Sequence, residues 1–543
     1  MKEYLKKISL VLATCTFLFS CDKFLEENPK DKLPEDDVYN SISEVYLNAV
    51  ASLYTYVGGY SDSQGLQGTG RGVYDLNTFT TDEAIIPTRG GDWYDGGFWQ
   101  GLFLHDWGIE NDAIQATWEY LYKVVMLSNK SLERIDKFAE THSDAELPAY
   151  RAEVRAMRAM YYYYLLDLFS RVPLVQSSSP AMKDVVQSER KTVFEFIFKE
   201  LQEVAPLLSE VHSNQSGPYY GRITRPVVTF LLAKLALNAE VYTDNDWTDN
   251  ERPDGKNIKF MVDGNELNAW ETVIYYCDQL KVMNYKLEPE YETNFSIFNE
   301  PSVENIFTIP MNKTLYTNQM QYLFRSRHYN HAKAYGLSGE NGPSATIEAL
   351  ETFGYGTAAQ DPRFDICYFA GEMYDLKGDI IKLDDGTVLV YFPWEVALDI
   401  TDTPYEQTAG ARMKKYEVDP TATKDGKLME NDIVLFRYAD ALLMKSEAKV
   451  RNGENGDVEL NQVRSRVKAA RRPATLENIL SERQLELAWD GLRRQDLIRF
   501  GMFTRAYNSR PQLPNEETGY TTVFPIPEKI RVMNTKLVQN PGY

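Results

Sequence analysis

A chain of 543 residues with 43% hydrophobic content can bury a large core, in one big domain or several small ones. Its formal charge of −21 argues against nucleic acid as a partner, because phosphates demand a surplus of Lys and Arg. The same charge argues against loose adsorption on anionic membranes.

The first element is a leader. Lys2, Lys6 and Lys7 precede the apolar run Ile8–Phe19, which is too short to span a bilayer, so residues 1–20 are expected to be a secretory signal peptide. Leu18-Phe19-Ser20-Cys21 resembles a bacterial lipobox, with the small Ser20 before the residue to be acylated. Cys21 would then be the lipidated first residue, on a firm anchor of several acyl chains. Asp22 after the cysteine fits an inner-membrane retention signal of enterobacterial type, whereas Asp22, Glu26 and Glu27 together resemble the surface-export signal of Bacteroidetes lipoproteins, and the residues alone do not decide between the two. Residues 21–35, polar and carrying Pro29 and Pro34, read as a tether.

Helices follow in pairs. Apolar spacing predicts Glu44–Tyr56, Ile109–Phe138, Asp144–Phe169, Thr192–Leu208, Arg225–Thr243 and Leu267–Met283, then Ile433–Arg451, Asp457–Ala470 and Glu477–Phe500. Pro226 sits in a first turn, where its missing N–H is harmless, and Asn452-Gly453 makes a good C-terminal cap. Small and aromatic residues at facing positions (Ala233, Ala236, Ala239, Ala441, Ala448) are the way tetratricopeptide-like units stack. Cys277 and Cys367, the thiols left after processing, are no disulfide framework; Cys277 falls on an apolar helix face and reads as a buried, inert thiol.

Between the helices lie Val57–Trp107, Asn284–Thr346 and Asp361–Glu430, too long for plain connections and too aromatic for disorder. Within the first, Arg89-Gly90-Gly91-Asp92-Trp93-Tyr94-Asp95-Gly96-Gly97-Phe98-Trp99 combines flat apolar faces with an Arg, two acids and four glycines. Sugars need such faces for their rings and planar polar groups for their hydroxyls. Arg89, Asp92, Trp93, Tyr94 and Trp99 are therefore candidate ligand contacts, against the plainer reading of the Trp residues as plugs pinning a loop to the scaffold. Trp247 and Trp394 stand in other polar loops and divide evenly between binding and packing.

Other chemistry is weaker. Glu482, Glu486, Arg493, Arg494, Asp496 and Arg499 are spaced as a structural ion network. Asp244, Asp246, Asp249, Glu251 and Asp254 could hold a structural Ca²⁺, but Asp249 stands where an EF-hand loop needs glycine, so a solvated acidic loop is the preferred reading. Gly68–Gly72 lacks the Lys-Ser/Thr of a P-loop, and neither His-Glu-x-x-His nor Gly-x-Ser-x-Gly occurs. No cofactor is expected beyond that possible Ca²⁺.

An ordered set of strings resembles the SusD/RagB family. It comprises Cys21-Asp22-Lys23-Phe24-Leu25-Glu26, Thr81-Asp82-Glu83, Arg151-Ala152-Glu153 through the Tyr161–Phe169 run, and Leu435-Phe436-Arg437-Tyr438-Ala439-Asp440-Ala441. Glu482-Arg483-Gln484-Leu485-Glu486-Leu487, Gly491–Phe500 and the ending Gln539-Asn540-Pro541-Gly542-Tyr543 complete it. The resemblance implies a mainly α fold, a tetratricopeptide-like helix-pair scaffold with a long-loop, irregular ligand-binding half. It makes residues 36–543 one domain, with an N-terminal part at about 36–220 and a C-terminal part at about 270–543. It implies a non-enzymatic, surface-exposed outer-membrane lipoprotein that captures oligosaccharide and acts as the lid of a SusC-like TonB-dependent transporter. It also makes Tyr322–Tyr335 and the following Asn341-Gly342 loop a second wall of the site, adding Arg325, Tyr329 and Asn341 to the candidates. Ile85-Ile86-Pro87 and Pro343 stand where part of a starch-binding aromatic arc is looked for, so no particular glycan is implied. The competing functions are a lipid-anchored glycoside hydrolase, with two carboxylates across a cleft, and a peptide-binding or purely structural lid.

Overall fold

The computed structural model describes residues 39–59, 65–67, 70–314, 325–423 and 426–543; Cys21 and the leader lie outside them. Its frame is a row of antiparallel helices, each packed on the next. α1 (Asp112–Ala139) lies on α2 (Leu147–Phe169), α2 on α3 (Arg190–Val204), and α3 on α4 (Arg225–Leu237). The row continues through α5 (Ala269–Val282) to α6 (Tyr438–Asn452), which also meets α7 (Asp457–Arg466) and α8 (Leu476–Leu487). This is the stacked helix-pair architecture expected from the small facing residues.

The ends are set by local chemistry. Asn111 Oδ1 accepts the N–H groups of Ala113 and Ile114 at the start of α1. Asn268 and Glu271 form a reciprocal capping box on α5. Gly453, at φ 91°, closes α6 in the left-handed cap expected of it. α4 is enclosed on every side: from Pro226 to Leu237 every residue is buried, including Lys234, which pairs with Asp440 at 3.1 Å. In α2 the consecutive Tyr161, Tyr162 and Tyr163 are buried because each hydroxyl finds an acceptor, on Tyr56 O, Val175 O and Gln495 Oε1.

Several boundaries differ from expectation, among them those of three core elements. Arg225–Thr243 is interrupted at Asn238, beyond which a short turn, Ala239–Tyr242, continues the path. Ile433–Arg437 is a strand, not the first turn of α6. It pairs antiparallel with Asn305–Ile309 and is buried along its whole length, where a run of β-branched and aromatic residues suits a strand covered on both faces. Glu477–Phe500 is two helices, α8 and α9 (Arg493–Arg499). Between them Trp489 and Gly491 take positive φ, and the Trp489 N–H donates to buried Glu83 at 3.0 Å instead of to its own helix.

The six charged residues expected to form an ion network are ion-paired inside the protein, but only Asp496 and Arg499 pair with each other at helical spacing; the rest meet partners from other elements. Arg363 meets Glu482 and Glu486, both at 2.8 Å; Arg493 meets Asp82 at 2.7 Å, Arg494 meets Asp167 at 2.9 Å, and Arg499 bridges Glu447 and Asp496. Burial pushes the Glu486 carboxyl up, but Arg466, Arg437 and Arg363 overcome that and hold it well below the usual carboxylate range. Arg363 and Asp82 tie the C-terminal helices to the loop half, while Asp167 of α2 and Glu447 of α6 tie them to the helix row.

Within the long stretches the described residues form short antiparallel pairs, Ala84–Ile85 with Ser344–Ala345, Tyr368–Phe369 with Arg412–Met413 and Gly371–Glu372 with Val390–Tyr391, whereas Lys259–Val262 with Asn265–Asn268 packs on α5. Cys277 and Cys367 are both buried and free, and burial pushes Cys367 up to about 11. Among the described residues no helix is long and apolar enough to cross a membrane, and no group of three or more His, Cys, Asp or Glu converges. The acidic loop at 244–254 instead uses its carboxylates on nearby N–H groups: Asp246 on Thr248, Asp249 on Glu251, Asp254 on Lys256.

Candidate ligand-binding site

Three loop segments, 86–99, 325–346 and 391–413, are sewn together by backbone pairing. Ala84–Ile85 pairs antiparallel with Ser344–Ala345. The Thr88 N–H donates to Leu398 O and the Ile400 N–H to Thr88 O, both at 3.0 Å. The Ala345 N–H donates to Ala411 O at 2.9 Å, and the Phe392 N–H to Thr408 O at 3.0 Å. Residues far apart in sequence thus become one platform.

Under the platform two guanidinium groups meet on one hydroxyl. Arg89 and Arg412 each donate to Ser344 Oγ at 3.0 Å. Arg89 also donates to the carbonyls of Glu406 and Ala409, and Arg412 to those of Gly342 and Gln407. Neither has a carboxylate partner in these bonds. Burial, then the neighbouring Arg412 charge, lowers Arg89 well below its ordinary value; burial brings Arg412 to about 10. Two cations bound only to carbonyl and hydroxyl oxygens give the loops an electropositive floor. Beside them His328 is pushed down to about 4 by burial and by Arg412 and Arg89, so it is neutral at pH 7.

The rim is aromatic and acidic. Tyr94 is 59% exposed, Tyr329 42% and Trp394 46%. The Tyr329 hydroxyl donates to Asp92 Oδ2 at 2.8 Å, tying the second loop to the first. Burial and that bond push the Tyr329 phenol up to about 12, so it stays a donor at physiological pH. Phe392 is exposed on the third loop, with the Tyr405 ring 5.1 Å away, and Trp394 leans on Tyr355 at 5.9 Å.

The eight residues named from the sequence divide by exposure. Asp92, Tyr94 and Tyr329 present side chains to solvent. Trp93 is half-buried: its indole N–H donates to Glu340 O at 2.7 Å and its ring lies edge-on to Trp99 at 5.7 Å. Gly342 lies so close beneath that a Cβ there would come within 2.5 Å of the Trp93 ring. Trp99 is buried, its N–H on Asp95 and its ring 5.6 Å from the Arg325 guanidinium. Arg325 is buried against Asp75 at 2.9 Å, and Asn341 is buried with its amide on Gln407. With Arg89, these last three have side chains occupied inside the protein. Trp93 and Trp99 make packing contacts with the scaffold, the plainer of their two readings.

Sequence reasoning missed Ser344, Gln407, Arg412 and Phe392. The run Tyr391-Phe392-Pro393-Trp394 carries the available signal, three aromatics around a proline in a long stretch.

The comparisons with known proteins agree with this architecture. One family model, described as SusD family, matches residues 303–543; another, described as starch-binding associating with outer membrane, matches residues 23–237. The chain belongs to the SusD/RagB family. The starch-binding protein SusD of Bacteroides thetaiotaomicron is 25% identical over 509 residues, covering 88% of this chain and 87% of its own. A SusD-like protein of Bacteroides ovatus is 22% identical over 520 residues, covering 92% and 83%. Among solved structures, a laminarin binding SusD-like protein superposes with a TM-score of 0.67 at 21% identity, over 93% of this chain and 100% of that one. Surface glycan-binding protein A of Bacteroides thetaiotaomicron, in complex with laminarihexaose, gives 0.68 at 19% identity, over 92% and 99%. The helix row with its loop platform is the SusD-like fold.

Proposed function

We propose that this SusD-like protein is a cell-surface glycan-binding lipoprotein, anchored at Cys21 in the outer membrane. It holds an oligosaccharide on the platform and delivers it to a SusC-like TonB-dependent transporter, acting as that transporter's lid. The observation that carries the reading is the linked pair Tyr329–Asp92 beside exposed Tyr94: ring faces and a hydrogen-bonding carboxylate on a rigid, cross-paired base. Arg89, Trp93, Trp99, Arg325 and Asn341 hold the loops in shape, while Asp92, Tyr94 and Tyr329 touch the sugar. Phe392 and Trp394 extend the apolar rim. Binding without reaction accords with relatives that are named for the glycans they bind.

Affinity electrophoresis of the mature protein through gels containing starch, laminarin and other polysaccharides tests this. One glycan should retard the wild type, and Tyr94→Ala and Tyr329→Ala should each weaken that retardation while melting as the wild type does. Retardation unchanged in both variants would move the site elsewhere, and steady release of reducing ends would make the protein a hydrolase.

A further inference from the structure

A second concavity is built from other elements: the start of α3, the loop after Tyr242, the end of α9 and the segment 501–522. It encloses about 220 Å³ and is lined by Arg190, Asp244, Trp247, Arg252, Phe503 and Glu517 among others. None of these residues belongs to the loop platform.

Arg190 is the unusual member. Only 1% of it is exposed, yet among the described residues no carboxylate pairs with its guanidinium, and its Nε has no acceptor. Its close neighbours are ring faces, Tyr242 at 5.7 Å and Trp247 at 5.5 Å. A buried guanidinium without a counter-ion is costly, and the fold's other deeply buried arginines in α8 and α9 all have carboxylates. Burial lowers Arg190 to about 10, so it is still charged at pH 7. Asp244 interacts with it only at longer range and accepts the Asp246 N–H at 3.0 Å. The indole N–H of Trp247 is likewise buried without an acceptor. Arg190 is also the first residue of a 15-residue helix, whose terminal N–H groups add partial positive charge at that wall.

We propose that this cavity is a second ligand site, taking a small hydroxylated carboxylate the size of a sugar acid. Its carboxylate would sit against the Arg190 guanidinium, its hydroxyls would donate to Asp244, and its carbon face would lie on Trp247. An anion supplies the counter-charge that the chain omits, hydroxyl donors suit the acids that share the wall, and the volume suits one monosaccharide unit rather than a chain. The site is independent of the platform, so the protein could hold a neutral glycan there and an acidic unit here.

Isothermal titration of the full mature protein with glucuronate, glucose and inorganic phosphate tests the proposal. Glucuronate should bind saturably and roughly 10- to 100-fold tighter than glucose, the worth of one charge-assisted hydrogen bond. Arg190→Gln should abolish that preference and Arg190→Lys should keep part of it. Trp247→Phe, which retains a ring and deletes the N–H, covers the case in which Arg190→Gln does not fold. Because the unpartnered indole N–H would donate to the ligand's carboxylate beside Arg190, this variant should weaken glucuronate several-fold while the protein still folds. Equal affinity for glucose and glucuronate, a preference that survives Arg190→Gln, no effect of Trp247→Phe, or saturation by phosphate alone would each overturn the proposal. Tyr94→Ala should leave glucuronate binding intact, which separates failure here from failure of the platform reading.

Discussion

Trp93→Ala distinguishes a plug from a ligand contact. The indole does two jobs between the first two loops: it donates to Glu340 O at 2.7 Å, and it packs over Gly342 and against Trp99. Removing a fully buried Trp or Phe costs about 3–5 kcal/mol, and half-burial leaves roughly 1.5–2.5 of that. The lost hydrogen bond adds about 1 kcal/mol. Separation of the two loops should therefore become easier by roughly 2.5–3.5 kcal/mol, or about 70- to 400-fold in the opening equilibrium. Hydrogen exchange reads this at Asn341 and Gly342, whose N–H groups donate to Arg327 O and Arg325 O across the loop. Both amides should lose protection by that factor in Trp93→Ala. In Tyr94→Ala, whose ring is mostly in solvent, they should stay within about 0.5 kcal/mol of wild type. Unchanged protection in Trp93→Ala, or equal loss in Tyr94→Ala, would refute the assignment of inner and outer aromatics.

Two further outcomes concern the buried charges. Glu486→Gln removes the anion that Arg363, Arg437 and Arg466 share. It should cost about 3–5 kcal/mol, seen as a lower urea midpoint; an unshifted midpoint would mean the cluster contributes no net pairing. Glu83 behaves oppositely, because burial pushes its carboxyl up to about 8 from an ordinary 4.5. Between those values the folded chain keeps a proton that the unfolded chain has released, so this group's contribution to stability falls as pH rises through the window and levels off above it. Glu447 has the reverse sign: burial pushes it up, but Arg499 and Arg451 hold it at about 2, so its contribution is complete above 4.5 and is lost on acidification towards 2. Glu83→Gln, which can still accept the Trp489 N–H, should flatten the fall in melting temperature between pH 5 and pH 8.5 without changing the acid limb. Parallel pH profiles for variant and wild type would show that Glu83 is not held protonated.

Much of the fold is written locally. The apolar periodicity of α1 to α7, the Asn452-Gly453 stop and the Pro226 start depend on neighbours within one or two helical turns, so one sequence suffices to read them. The strand at Ile433–Arg437 does not, because its partner Asn305–Ile309 lies more than a hundred residues away and an apolar run of five suits either state. The division of Glu477–Phe500 fails for a similar reason: the Trp489 N–H leaves the helix for Glu83, from the other end of the chain.

At the candidate site the sequence by itself determined an aromatic, glycine-rich segment and, through the family resemblance, a second Tyr- and Arg-bearing segment; the third, with Phe392, was not legible in it, and Trp394 stood undecided between binding and packing. Only the tertiary structure decided which member faces solvent. Trp93 and Tyr94 are adjacent and chemically alike, yet Trp93 takes φ 63° and turns onto Glu340 and Gly342 from a distant loop, leaving Tyr94 outside. Arg89 and Arg325 carry the same side chain, and one ends among carbonyls while the other meets Asp75. Side-chain chemistry is a property of the residue, whereas exposure and counter-charge belong to whatever the fold brings alongside it.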